Sequence, residues 1–128
     1  MIILTLKEIL NAVPFLREIS NKEFPSSTAF KIARLIRELD KELELFEIER
    51  TKIIYKNCEK DNNGNPVLLE GGNIKLLEHK IEEVTTELNI LLKNQVEINA
   101  EKIPILAFNS IELTPEQAIN LEAIVNFE

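Results

Sequence analysis

The sequence predicts a mainly α protein of the α+β class: a long antiparallel helical hairpin with short flanking helices and a small two- or three-stranded β element. Three observations lead there. Residues 27–58 run without a single Gly or Pro, and Ile32, Ile36, Leu39, Leu43 and Phe46 recur at steps of four and three, the seam of a helix that packs lengthwise on another. A second seam follows at Ile74, Leu77, Ile81, Val84, Leu88 and Leu91. After Asn94 the period drops to two, with Val96 and Ile98 alternating with polar residues, as in a half-buried strand. At about 1.5 Å per residue the first helix runs roughly 45 Å, so the rest of the chain has to be arranged along it.

Met1 to Leu4 reads as a short strand or a buried arm. Thr5 with Glu8 fits a capping box, so a helix is predicted over 6–20 with an apolar face of Leu6, Ile9, Leu10, Val13 and Leu16. Pro14 inside that pattern removes a backbone donor and is expected to kink or split it. Residues 21–25 form a linker, and Ser26 or Ser27 caps the long helix over 27–58. Arg50 interrupts its seam and Ile53 resumes it. Residues 59–73 are the main break, with Asn63-Gly64 as a turn signal and Pro66 to Leu69 as a possible third strand. Asn73 then caps a second heptad helix over 74–93, antiparallel to the first. Extended segments occupy 95–108, where Pro104 restricts its strand to an edge. Thr114-Pro115-Glu116-Gln117 starts a last helix over 115–126, with Ala118, Leu121, Ile124 and Val125 facing inward. The sequence shows no internal repeat by residue identity.

Composition bounds the function classes. A chain of 128 residues is one domain by length, rich in helix formers and able to bury a core. A formal net charge of −7 argues against non-specific binding to nucleic acid or to an anionic membrane surface. One Cys excludes an intramolecular disulfide and a cysteine-based zinc site. No apolar run approaches the roughly 18 residues of a membrane span. The opening MIILTL lacks the basic flank and cleavage site of a signal peptide, so the expectation is a soluble intracellular protein.

Candidate chemistry is sparse. His79 has Glu82 and Glu83 one turn on, a conceivable weak ion site, but reads as a solvated surface histidine. Cys58 has no identifiable activating base and reads as a buried or inert thiol. Asp61, Asn63 and Asn65 resemble the start of a calcium loop, which then needs Gly where Pro66 stands and Glu where Gly72 stands. Gly71-Gly72-Asn73 could offer backbone N–H groups to a phosphate but lacks P-loop spacing. Lys31, Arg34, Arg37 and Lys41 fall near one helix face and could grip an acidic partner or a phosphorylated ligand. Glu38 and Glu42 are placed to neutralise part of that stripe. The more numerous acids, from Glu38 through Glu49 and again at Glu82, Glu83 and Glu87, could imitate a phosphate backbone or simply solvate the helices.

Three places carry a resemblance: Pro25 with Thr28-Ala29-Phe30-Lys31-Ile32-Ala33-Arg34-Leu35, then Leu91-Leu92-Lys93-Asn94-Gln95-Val96-Glu97-Ile98, then Leu113-Thr114-Pro115 with Leu121. In these the chain resembles an uncharacterised family of small proteins from phages and prophages of Gram-positive bacteria. The resemblance implies a phage origin, a location in the host cytoplasm and a small accessory role, with no catalytic residues and no cofactor or metal to carry over.

The functional expectation is a non-catalytic accessory protein acting by protein–protein binding, most concretely an inhibitor of a host defence or regulatory protein. A minor virion, assembly or lysis-module protein is the alternative, and a module sequestering a nucleotide signal is the third. The candidate interaction surface is Lys31, Arg34, Arg37, Lys41, Glu42, Glu49, Ile53, Ile54 and Tyr55. The long helix outreaches its hairpin partner by about a dozen residues, roughly 18 Å. Ile48, Ile53, Ile54 and Tyr55 lie on or near that overhang, which predicts a homo-oligomer.

Overall fold

The computed structural model describes residues 1–128. Its elements in order are strand β1 (Ile2–Thr5), helix α1 (Leu6–Ile19), helix α2 (Ser26–Lys56), helix α3 (Ile81–Leu92), strand β2 (Gln95–Ile98), strand β3 (Ile103–Pro104), helix α4 (Pro115–Leu121) and strand β4 (Val125–Asn126). Short 3₁₀ turns precede α3 and follow β3 and α4. The mainly helical α+β class is as the sequence predicts.

β1 and β2 pair antiparallel, Ile2 opposite Ile98 and Thr5 opposite Gln95. Ile2, Leu4 and Ile98 point into the core while Ile3 and Glu97 face out, the alternation a one-sided sheet requires. Thr5 then caps α1 with both arms of the capping box, the Glu8 N–H donating to Oγ1 at 3.1 Å and the Thr5 N–H donating to Oε1 of Glu8 at 2.9 Å. Pro14 lies inside α1 without splitting it. The ring sits on the exposed side, and Ile9, Ala12, Val13, Leu16 and Ile19 are buried behind it.

α1 is the first partner of α2, which corrects the expected pairing of the two seams. Ile32, Leu35 and Leu39, from the N-terminal half of α2, join α1 in the main core, and Leu35 and Leu39 are fully buried. Arg17 ties the two helices at the surface, one Nη2 lying 2.6 Å from both carboxylate oxygens of Asp40. Only the C-terminal half of α2 lies along α3, with Phe46, Leu91, Leu92 and Val96 as the apolar contact to the core. α2 begins at Ser26 with no side-chain cap from Ser26 or Ser27.

The second helix is shorter than expected. It starts at Ile81, and Ile74, Leu76 and Leu77 lie in extended chain. Ile81 is about half exposed rather than in a seam, and Asn73 caps nothing. What replaces the missing turns is a closed ring of backbone hydrogen bonds. The N–H of Glu59 donates to the carbonyl of Lys75 at 2.9 Å, that of Lys75 to Val67 at 2.8 Å, and that of Val67 back to Glu59 at 2.9 Å. An outer set repeats the pattern: Asp61 to Asn65, Leu69 to Asn73, and Leu77 to Asn57. Turn bonds close each segment, from Gly64 to Asp61, Gly72 to Leu69, and Lys80 to Leu77.

Segments 57–64, 65–72 and 73–80, reading NCEKDNNG, NPVLLEGG and NIKLLEHK, thus share one bonding scheme and each opens on Asn. The absence of an internal repeat read from the sequence is corrected by this short threefold junction. The proposed third strand at Val67–Leu69 belongs to the junction and not to either sheet.

At the C-terminus, β3 covers only Ile103–Pro104, after which the chain turns into a 3₁₀ segment at Ile105–Ser110. β3 pairs parallel with β4, Ile103 opposite Val125. Thr114 and Gln117 form the second capping box, at 2.9 and 3.2 Å. Leu121, Ile124 and Val125 are buried as expected, although the last two lie beyond the α-helix, and Ala118 is exposed.

Candidate functional site

The nine candidate residues do not form one site. All lie on α2, and the helix period distributes them over its circumference. Leu35, Leu39 and Phe46 fix the buried face. The face turned away from them carries Phe30, Arg34, Arg37, Lys41, Leu45, Ile48, Lys52 and Tyr55, a series with steps of three and four throughout. Its N-terminal half is cationic and its C-terminal half mainly apolar.

The apolar members are open to solvent: Phe30 is 78% exposed, Leu45 57%, Ile48 48% and Tyr55 47%. The cations differ in their partners. Lys41 pairs with Glu38 at 2.9 Å and Lys52 with Glu49 at 3.2 Å. Arg34 and Arg37 form no ion pair within the chain.

At the N-terminal end of this face lies an open cleft of about 450 Å³ lined by Met1, Phe30, Lys31, Arg34, Asn99, Ala100 and Glu101. Two of the predicted residues, Lys31 and Arg34, stand in it, and Lys31 is 3.7 Å from Glu101. Glu42 and Glu49 line a separate groove between α2 and α3, floored by Leu6, Phe46, Leu91 and Val96. Ile54 faces a third groove with Arg50, Ile74, Leu76, Val84 and Leu88.

Ile53 and Ile54 are only partly exposed, because the chain itself covers the end of α2. The carbonyl of Ile53 accepts from Nδ2 of the buried Asn57 at 2.8 Å, and the threefold junction begins at that asparagine. The expected overhang is therefore filled in large part by residues 57–77 and not left bare. Tyr55 alone of the predicted apolar trio belongs to the outer face. Leu45 was not singled out from the sequence, although its spacing from Lys41 and Ile48 is the signal that finds it.

The other candidates are placed as follows. His79 is exposed in the turn before α3, and no group of three or more His, Cys, Asp or Glu side chains converges on a metal-sized site. Cys58 is buried, its Sγ donating to the carbonyl of Tyr55 at 3.3 Å. Asp61 spends its carboxylate on its own turn, accepting from the N–H groups of Asn63 and Asn65 at 2.9 and 3.0 Å. The Glu83 carboxyl is held below its ordinary pKa, first by a hydrogen bond from Lys80 and then by the charges of Lys80, Lys56 and His79. No helix is long and apolar enough to cross a membrane.

The chain matches no protein-family model, no curated protein and no solved structure.

Proposed function

We propose that this protein is a non-catalytic accessory protein that acts by binding another protein, most concretely as an inhibitor of a host defence or regulatory protein in the cytoplasm of a phage-infected cell. The observation that carries the reading is the outer face of α2, where Leu45, Ile48 and Tyr55 stand in water beside unpaired arginines on a firmly seated helix. Large apolar side chains arranged in register at a surface mark an interaction site more often than scattered ones do, and arginine and tyrosine are the residues interfaces favour. The phage setting rests on the resemblance at Thr28–Leu35, Leu91–Ile98 and Leu113–Pro115. Mechanism is then occlusion by surface complementarity, with no cofactor and no direct contact to nucleic acid.

A second reading, a minor virion, assembly or lysis-module protein that forms a homo-oligomer, is favoured by the sheets. Each has two strands, so unpaired edges remain for another chain to extend, and Ile3 on β1 is 61% exposed.

The test is co-purification of the tagged protein from infected host cells after nuclease treatment. A stoichiometric host protein supports the first reading. A virion component or a second copy supports the alternative. An eluate with no second polypeptide and a monomer mass overturns both.

A further inference from the structure

We infer that the outer face of α2 is a docking surface for an acidic amphipathic helix of the partner protein, with carboxylates set against Arg34 and Arg37 and apolar side chains against Leu45, Ile48 and Tyr55. The inference rests on the protein-binding reading above and names the partner's chemistry. These residues span about six turns of one unbroken helix, roughly 32 Å, so a straight helical partner can engage them in a single register. The division of the face selects the occupant. Arg34 and Arg37 lack internal ion pairs while the chain as a whole carries −7, so these guanidiniums are an unneutralised local field of the minority sign. Such a field favours carboxylates, which arginine takes in a bidentate fork.

The same division disfavours a second copy in the arrangements that overlay the whole face. A parallel pair sets Arg34, Arg37 and Lys41 against themselves. An antiparallel pair centred between Glu44 and Leu45 brings Arg37 beside Lys52. Like charges brought together across an interface suppress the wrong partner. A nucleic acid carries phosphates along its whole length and so meets Glu38, Glu44 and Glu49 as well as the cations, whereas a helix sets carboxylates opposite the arginines and apolar side chains elsewhere; an anionic membrane surface meets the same glutamates.

The probes are two synthetic helical peptides with leucines at steps of three and four, one with glutamates and one with lysines on the flanks. Each is titrated into the full-length protein by fluorescence anisotropy at low and at physiological salt. The glutamate peptide binds and the lysine peptide does not. Arg34→Glu with Arg37→Glu weakens binding by at least about tenfold and flattens its salt dependence, and Ile48→Glu weakens it comparably. Because these positions are exposed, circular dichroism of the variants stays as for the parent. Equal binding of the two peptides, or unchanged affinity in the charge-reversal variant, overturns the inference. If the partner from infected cells still co-purifies with the charge-reversal variant, this surface is wrong while the protein-binding reading stands. If no partner is recovered with the parent, the underlying reading is what fails.

Discussion

Glu59 and Lys75 meet twice: the N–H of Glu59 donates to the Lys75 carbonyl at 2.9 Å, and Nζ of Lys75 lies 2.9 Å from Oε2 of Glu59. The backbone contact belongs to the three-bond ring through Val67, and the side-chain contact is a half-exposed ion pair laid over it. The two are not equal. An exposed pair contributes about 0–1 kcal/mol, whereas the turns that let the chain return to the ring depend on backbone that only glycine adopts freely. Gly64 and Gly72 have φ of +80° and +84°, with open space where a Cβ would sit. An alanine there meets no neighbour, and its cost is conformational, about 1–2 kcal/mol. Gly64→Ala and Gly72→Ala are therefore expected to speed amide exchange at Val67 and Lys75 more than Lys75→Gln does. Faster exchange in Lys75→Gln than in either alanine variant would show that the ion pair, not the turns, holds the junction.

The change of partner along α2 gives a second prediction. Leu35 and Leu39 are fully buried between α1 and α2, and Leu88, on the opposing helix, is only partly covered. Truncating a buried leucine removes its transfer energy and leaves a cavity, about 2–5 kcal/mol in all. Leu35→Ala and Leu39→Ala are expected to cost that much in urea denaturation, and Leu88→Ala clearly less. Equal losses at Leu39 and Leu88 would mean that the two heptad seams share one core after all.

That partner change also marks what the sequence could and could not tell. Thr5 with Glu8 and Thr114 with Gln117 were legible because a capping box is local chemistry, complete within four residues. The alternation at Val96 and Ile98 was legible for the same reason. Helix spacing runs the seam of α2 through Ile36, but Leu35 is the residue at 0% exposure. Both are apolar, and the choice between them depends on where α1 lies, which no local pattern states. Ile74 and Leu77 continue the helix spacing of α3 backwards into residues that are extended, because hydrogen bonds to segments 57–61 and 65–69 outweigh local preference. The asparagines at 57, 65 and 73 were the available signal. At the candidate site the basic stripe is legible as helix spacing, while the partial cover of Ile53 and Ile54 depends on a junction that no local pattern announces.

Charge at the start of α3 gives a third prediction. The Glu83 carboxyl is held below its ordinary value of 4.5, first by the Lys80 hydrogen bond at 2.9 Å and then by nearby positive charge. A carboxylate whose folded pKa is depressed supports the folded state above its unfolded pKa and loses that support as pH falls through the folded one. Lys80→Gln removes the main cause. Carboxyl NMR titration of Glu83 is expected to move its midpoint up towards 4.5 in this variant. Added salt should move the parent's midpoint the same way, since the group is open to solvent. A midpoint unmoved by the substitution would place the cause elsewhere.

Pro14 sets two effects of opposite sign against each other. It stands in the interior of α1, and its ring faces solvent. A proline there cannot donate to the carbonyl of Leu10, and interior proline disfavours a helix by about 3 kcal/mol relative to alanine. Against this, proline narrows the unfolded ensemble, a benefit of about 0.4–1 kcal/mol where the native backbone accepts it. The helical loss is the larger, so Pro14→Ala is expected to stabilise the protein by about 2 kcal/mol. An exposed position gives alanine no packing to disturb, and its N–H regains a helical acceptor. Geometry can oppose this: if a bend at Pro14 seats Leu16 and Ile19 against α2, straightening α1 would pull buried side chains out of register. Urea denaturation decides between them. A raised midpoint with unchanged slope means proline is tolerated in spite of its cost, whereas a lowered midpoint means the bend is part of the packing between α1 and α2.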